Sequence, residues 1–78
     1  MEANNQTMPL TMIQPGEEHT LVTIVGGRGI KSKLFSMGLT PGVKLKILNK
    51  GTAGPFVVSA RDFRIALGYG IARKILVR

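Results

Sequence analysis

Turn-forming residues interrupt this chain about every eight to twelve residues, and this spacing limits the fold more than any other feature. Pro-Gly pairs stand at residues 15–16 and 41–42, and further glycines end the apolar runs near residues 26, 38 and 68. Segments this short suit strands and single short helices. Since 78 residues also make only one small domain, the sequence predicts a mainly β fold, built as a small, strongly bent sheet or barrel.

The most clearly predicted strand is VKLKIL, residues 43–48. Apolar Val43, Leu45 and Ile47 alternate there with Lys44 and Lys46, which is the pattern of a strand with one buried face. Further strands are predicted in MPLTMI (8–13), HTLVTIV (19–25), PFVVSA (55–60), FRIAL (63–67) and KILV (74–77). The total is five to six strands, and the proline in MPLTMI restricts that segment to a sheet edge or a strand start.

The domain is expected to cover residues 8–78. The polar residues 1–7 have no apolar period and are predicted to form a disordered tail. NKGTAG, residues 49–54, is predicted to turn the chain between two strands. Alternation in FRIAL places Phe63, Ile65 and Leu67 inward, and the core is expected to take both Phe56 and Phe63.

One helix is predicted at about residues 30–37. Ile30, Leu34 and Met37 recur there at i, i+4 and i+7, so they share one face of a helix of about two turns. A short helical turn is expected near residues 68–73, where GYGIA is too short and glycine-rich for more. The domain is therefore a small barrel with one helical insertion.

The sequence after the helix predicts a sharp corner into the next strand. Gly38 is expected at the first position beyond the helix, in the left-handed conformation that glycine adopts at least cost. Leu39 can then pack back on Leu34, as in a Schellman ending. Pro41 and Gly42 suit the two central positions of a type II turn that leads into VKLKIL.

Phe35 lies outside the apolar stripe of this helix, about 140° around the axis from Ile30. One interpretation is that a strand or the tail covers it. The other is that Phe35 is an exposed apolar anchor for a partner, with Arg28, Lys31 and Lys33 as a basic rim.

The chain carries few groups that could support catalysis. It has one histidine, no cysteine and four acids, which are Glu2, Glu17, Glu18 and Asp62. No nucleophile, base and orienting group can be recognised by spacing, so we expect no enzymatic activity and no cofactor. The cluster Glu17, Glu18 and His19 has ligand types that suit zinc or iron, but adjacent strand residues point to opposite faces, which favours a solvated turn over a metal site.

A formal net charge of +7 indicates an anionic partner, which could be a nucleic acid, an acidic protein face or a membrane surface. Small basic barrels often bind nucleic acid through stacking aromatic side chains. Here the aromatic residues Phe35, Phe56, Phe63 and Tyr69 are scattered, so a stacking platform is not visible and no nucleic acid is expected. The start of the chain has no signal-peptide pattern, and no apolar run approaches the roughly 18 residues of a membrane span.

Taken in order, KLFSMGLTPGVKLKIL, GPFVV and RIALGYGIARKILV resemble the FeoA family, small cytoplasmic accessory proteins of bacterial ferrous iron uptake. The resemblance covers nearly everything from Met8 onward. The family's leucine, glycine and Pro-Gly positions fall on Leu34, Gly38, Leu39 and Pro41–Gly42. Its C-terminal pattern falls on Ile65, Ala66, Leu67, Ala72, Ile75 and Val77.

The resemblance implies an SH3-like barrel with a helical insertion, in agreement with the predicted strands. It also implies a cytoplasmic protein whose partner is FeoB, the membrane ferrous iron transporter with a cytosolic GTP-binding region. The chain would reach the membrane only through that partner, as a monomer or weak homo-oligomer. We assign partner binding to Leu34, Phe35, Met37, Leu39, Arg28, Lys31 and Lys33. The same domain type occurs in iron-dependent repressors, so a metal-responsive domain of that type is one alternative. A small basic barrel that binds nucleic acid is the other alternative.

Overall fold

The computed structural model of the chain describes residues 6–49 and 55–78. Within them the chain forms six strands, two α-helices and one 3₁₀ turn. The strands are β1 (Met8–Pro9), β2 (Glu18–Ile24), β3 (Lys44–Asn49), β4 (Phe56–Ala60), β5 (Phe63–Leu67) and β6 (Ile75–Val77). The helices are α1 (Arg28–Ser36) and α2 (Tyr69–Ala72), and the 3₁₀ turn is Leu10–Met12.

All neighbouring strands pair antiparallel in one sheet, in the order β1-β6-β2-β3-β4-β5. The register shifts once in the β2–β6 pair and once in the β3–β4 pair. Such irregularities increase the local twist of a sheet. The predicted mainly β fold of five to six strands is therefore confirmed.

The core is apolar throughout and draws on nearly every element. No polar or charged side chain is buried among the described residues. In β3, Leu45 and Ile47 are buried while Lys44 and Lys46 are exposed, so the predicted alternation is confirmed. The buried side chains are Leu10, Ile13, Leu21, Ile24, Leu34, Leu39, Val43, Leu45, Ile47, Phe56, Val58, Ala60, Ile65, Leu67, Ala72, Ile75 and Val77.

The corner after α1 has the predicted geometry. Gly38 lies in the left-handed region with φ of +93°. Its N–H donates to the carbonyl of Phe35 at 2.9 Å, and the N–H of Leu39 donates to the carbonyl of Leu34 at 3.0 Å. These two bonds are those of a Schellman motif. Gly42 follows with φ of +96°, and the N–H of Val43 donates to the carbonyl of Thr40, which completes the predicted Pro-Gly turn.

Three predictions about the elements need correction. The first strand ends at Pro9 rather than at residue 13, because Leu10–Met12 coil into a 3₁₀ turn that buries Leu10. The helix begins at Arg28 instead of residue 30, after Gly27, which makes no side-chain capping bond. Phe63 is not a core residue, since 38% of it is exposed. The predicted tail at 1–7 and turn at 49–54 lie mostly outside the described residues.

Candidate partner-docking surface

The solvent side of α1 presents an aromatic ring beside basic side chains. Phe35 is 42% exposed, whereas its neighbour Leu34 is only 2% exposed. Arg28 and Lys33 are exposed and Lys31 is half-buried. Within the described residues Phe35 is thus not covered by a strand, and the tail, the other element expected to cover it, lies mostly outside them. We call Arg28, Lys31 and Phe35 the helix surface, because Lys33 lies about 160° around the helix axis from Phe35.

The helix surface has this form because the apolar stripe of α1 is turned inward. Leu34 is buried, and Ile30 and Met37 are partly buried and packed against the core. Phe35 lies about 140° around the helix axis from Ile30, outside that stripe, and so projects outward. The same geometry leaves the charged ends of Arg28 and Lys33 in water.

Four residues assigned to partner binding from the sequence do not belong to this surface. Met37 and Lys33 line a groove on another side of α1, and Leu34 and Leu39 are buried. Leu34 is 2% exposed and Leu39 is 0% exposed, because both take part in the closure of the corner and in the core. A partner cannot contact them without unfolding that corner.

An apolar groove of about 290 Å³ lies on another side of α1. Met37 and Lys33 contribute to it from the helix, and Phe35 does not. The opposite wall comes from the end of β5 and the start of α2 and includes Ala66, Gly68 and Ile71, which no pattern in the sequence predicts as site residues. Small residues at positions 66 and 68 leave the space open, but only the packing of α2 near α1 makes it a groove.

The cluster at residues 17–19 forms a local hydrogen bond. His19 Nε2 lies 3.1 Å from Glu17 Oε1, and the backbone N–H of Gln14 also donates to Glu17 Oε1, at 3.3 Å. The bond from His19, followed by that from Gln14, lowers the pKa of the Glu17 carboxyl from its ordinary 4.5. No group of three or more His, Cys, Asp or Glu side chains that could hold a metal ion occurs in the described parts of the chain.

The aromatic residues lie in different places. Phe56 is buried, while Phe35, Phe63 and Tyr69 are exposed on three separate elements. One pair of rings is in contact in the described residues, Phe56 and Tyr69, with centroids 6.2 Å apart. A stacking platform for nucleic-acid bases requires several exposed rings in a row, and these rings do not provide one.

No helix within residues 6–49 and 55–78 combines the length and the apolar character that a membrane crossing requires.

Comparison with known proteins identifies close relatives along almost the whole chain. A candidate Fe(2+) transport protein A of Methanocaldococcus jannaschii is 39% identical over 69 residues, which cover 88% of this chain and 83% of the relative. The crystal structure of an iron uptake regulatory protein, FeoA, superimposes with a TM-score of 0.85 at 38% identity, covering 94% of this chain and 97% of that one.

Two further structures share the fold. Stenotrophomonas maltophilia FeoA, solved with zinc and described as a prokaryotic SH3 domain protein, has a TM-score of 0.78 at 20% identity and covers 91% of this chain and 89% of its own. A manganese-dependent transcriptional repressor has a TM-score of 0.83 at 22% identity, over 91% of this chain and 40% of the repressor. The predicted SH3-like fold is confirmed. The FeoA domain family matches residues 8–78, and the chain belongs to this family of Fe(2+) transport.

Proposed function

We propose that this chain is a non-enzymatic accessory protein of ferrous iron uptake that docks on the cytosolic GTP-binding region of a FeoB-type transporter. It acts in the cytoplasm and reaches the membrane only through that partner. Membership of the FeoA family supports the transport role, together with the 39% identity to a candidate Fe(2+) transport protein A.

The observation that carries the docking proposal is the exposure of Phe35. Phe35 keeps 42% of its surface in water on the helix and so offers a partner apolar area to bury. Aromatic residues are also enriched among the side chains that dominate binding energy. Lys31 and Arg28 lie about one and two helical turns before Phe35 on the same side of α1, and their positive charge raises the encounter rate with an acidic partner.

The non-enzymatic character is supported by the side chains themselves. The one histidine of the chain, His19 near the start of β2, is hydrogen-bonded to Glu17. The apolar groove beside α1 is lined by no histidine and by no carboxylate. A general acid–base pair would need two such groups within reach of one substrate.

The direct test measures binding of the full chain to the isolated cytosolic region of FeoB. Phe35→Ala is compared with Leu48→Ala, a matched control because Leu48 is 41% exposed and lies on β3, away from α1. We expect Phe35→Ala to weaken binding by about tenfold or more, equivalent to about 1.4 kcal/mol, and Leu48→Ala to leave it unchanged. Lys31→Glu should slow association more than it speeds dissociation.

Full-strength binding by a folded Phe35→Ala protein would place the docking face elsewhere, and Tyr69, which is 63% exposed, would be the next residue to test. Absence of any binding by the wild-type chain would remove the FeoB partner from the proposal. Neither result would alter the assignment to the FeoA family, which rests on the whole domain.

A further inference from the structure

A second concave surface lies on the outer face of β2, β3 and β4. It encloses about 550 Å³, and its charged and hydroxyl-bearing lining residues are Glu18, Lys44, Lys46, Ser59 and Arg61. We call it the basic cleft. It shares no residue with the helix surface or with the apolar groove beside α1.

Strand register explains why these side chains meet. Lys44 and Lys46 alternate with buried Leu45, so both point to the outer face of β3. Lys46 pairs with Glu18 of β2 on one side and with Ser59 of β4 on the other. Two residues along a strand are about 6.7 Å apart, so the two lysines stand at that interval along the cleft.

The cations of the cleft form no ion pair with a carboxylate among the described residues. The described residues, 6–49 and 55–78, contain one ion pair, which joins Glu17 to His19. Glu18 stands opposite Lys46 in the register but makes no ion pair with it at 4.0 Å or less. Lys44, Lys46 and Arg61 therefore leave a positive excess in the cleft that Glu18 offsets only in part.

Arg61 occupies the end of the cleft in an uncommon backbone conformation. Its φ of +57° is the single positive value among the non-glycine residues that the structure describes. Glycine or asparagine adopts this region more readily than arginine does. The turn between β4 and β5 thus carries a guanidinium at a position where backbone preference alone favours another residue.

We propose that the basic cleft binds an extended acidic segment of a partner protein, with Asp or Glu at alternate positions. Carboxylates at i and i+2 of an extended chain repeat at about 6.7 Å, the same interval as Lys44 and Lys46. The guanidinium of Arg61 can bind a further carboxylate through two N–H groups. This binding site is separate from the helix surface. Its ligand is defined by the acidic segment, whichever protein carries that segment.

The shape and composition of the cleft favour this ligand over two other polyanions. A concave surface fits a narrow peptide chain better than the flat face of an anionic membrane. No aromatic side chain lines the cleft, whereas proteins that bind single-stranded nucleic acid place aromatic rings against the bases.

The experiment titrates the full chain against a fluorescent peptide of alternating Glu and Ser with blocked ends. The double variant Lys44→Ser with Lys46→Ser is compared with Arg73→Ser plus Arg78→Ser, which changes the net charge equally at exposed residues outside the cleft. We expect the first pair to weaken binding at least about tenfold and the second less than about twofold. Equal losses in both would show attraction by net charge alone and would overturn the proposal.

Two single variants separate binding from folding. Arg61→Gly suits the positive φ, so thermal stability should be retained or raised while peptide affinity falls. Glu18→Gln removes a negative charge that repels the acidic peptide, so it should strengthen peptide binding by about twofold to fivefold. If Arg61 and Glu18 had only a structural role, neither variant would change the affinity for the peptide.

Competing ligands complete the test at about 0.15 M salt. Tighter binding of a thymidine oligonucleotide than of the peptide, lost in the Lys44 and Lys46 double variant, would reassign the cleft to nucleic acid. Tighter binding of phosphatidylserine vesicles, lost in the same variant, would reassign it to the membrane surface. Either result would overturn the assignment to an acidic peptide.

Discussion

The ring of Phe63 occupies the space beside Gly38 in which any other residue would place its side chain. Phe63 Cζ lies 2.7 Å from the position of an ideal Cβ on Gly38. Gly38 is therefore required twice, once by its φ of +93° and once by the ring that covers it. Through this contact β5 packs against the helix-to-strand corner.

Gly38→Ala should lower the free energy of unfolding by more than Gly42→Ala does. The two glycines have nearly the same positive φ, +93° and +96°, but a Cβ on Gly42 meets nothing within 4 Å. Gly42→Ala should cost about 1 kcal/mol for the left-handed conformation alone. Denaturant unfolding of both variants gives the extra cost of the ring contact. Phe63→Leu should reduce that difference, and equal costs for the two glycines would show that the ring moves aside freely.

Neighbouring positions on α1 should respond very differently to truncation. Leu34→Ala should destabilise the domain by about 2–5 kcal/mol, because Leu34 is 2% exposed in the core. Phe35→Ala should cost less than about 1 kcal/mol, because 42% of Phe35 is already in water. Thermal and denaturant unfolding of both proteins check this. A strongly destabilised Phe35→Ala variant would mean that the ring packs on the domain, and the docking proposal would then lose its basis.

The Glu17 carboxyl should titrate below its ordinary pKa of 4.5 because His19 and the backbone of Gln14 bond to its ionised form. A pKa lowered by folding gives stability that is present above the ordinary value and is lost as the pH falls through the lowered one. Carboxyl ¹³C NMR can follow Glu17 directly. His19→Ala should raise the Glu17 pKa toward its ordinary value, and His19→Gln, which keeps an N–H donor, should raise it less. An unchanged Glu17 pKa in His19→Ala would exclude His19 as its main cause.

Tyr69 should stabilise the domain through its ring and not through its hydroxyl. Its centroid lies 6.2 Å from that of Phe56, at an interplanar angle of 40°. Tyr69→Ala should cost about 1 kcal/mol, while Tyr69→Phe should be nearly neutral. Because the chain has one tyrosine and no tryptophan, near-ultraviolet circular dichroism of the tyrosine band reports on this contact during unfolding. A cost of several kcal/mol for Tyr69→Phe would instead indicate a structural hydroxyl.

Features that depend on a few consecutive residues could be predicted from the sequence. The alternation around Leu45 and the corner at Gly38 each follow from local backbone geometry, and both have the expected form. The start of α1 could not be placed, because Gly27 provides no side-chain cap and leaves no signal. Phe63 fits the alternation of an inward position, yet it lies beside the corner at the sheet edge, where its ring remains 38% exposed.

Features that join distant segments could not be predicted. Phe35 was identified from its angle on the helix, but whether another element covers it depends on the whole domain. The basic cleft depends on the register that places Glu18 and Ser59 on either side of Lys46. No pattern within a single strand contains that information.

The position of β6 in the sheet has a consequence for how the protein is made. β6 lies between β1 and β2, and Leu21 and Ile24 have their cross-strand partners in Val77 and Ile75. Both β1 and β2 therefore leave the ribosome long before the strand that joins them. The nascent chain can form the β2–β3 and β3–β4 pairs early, but its core stays open until residues 75–77 emerge. Folding of this domain is thus completed only after β6 has been made, through a long-range pairing of the kind that slows folding.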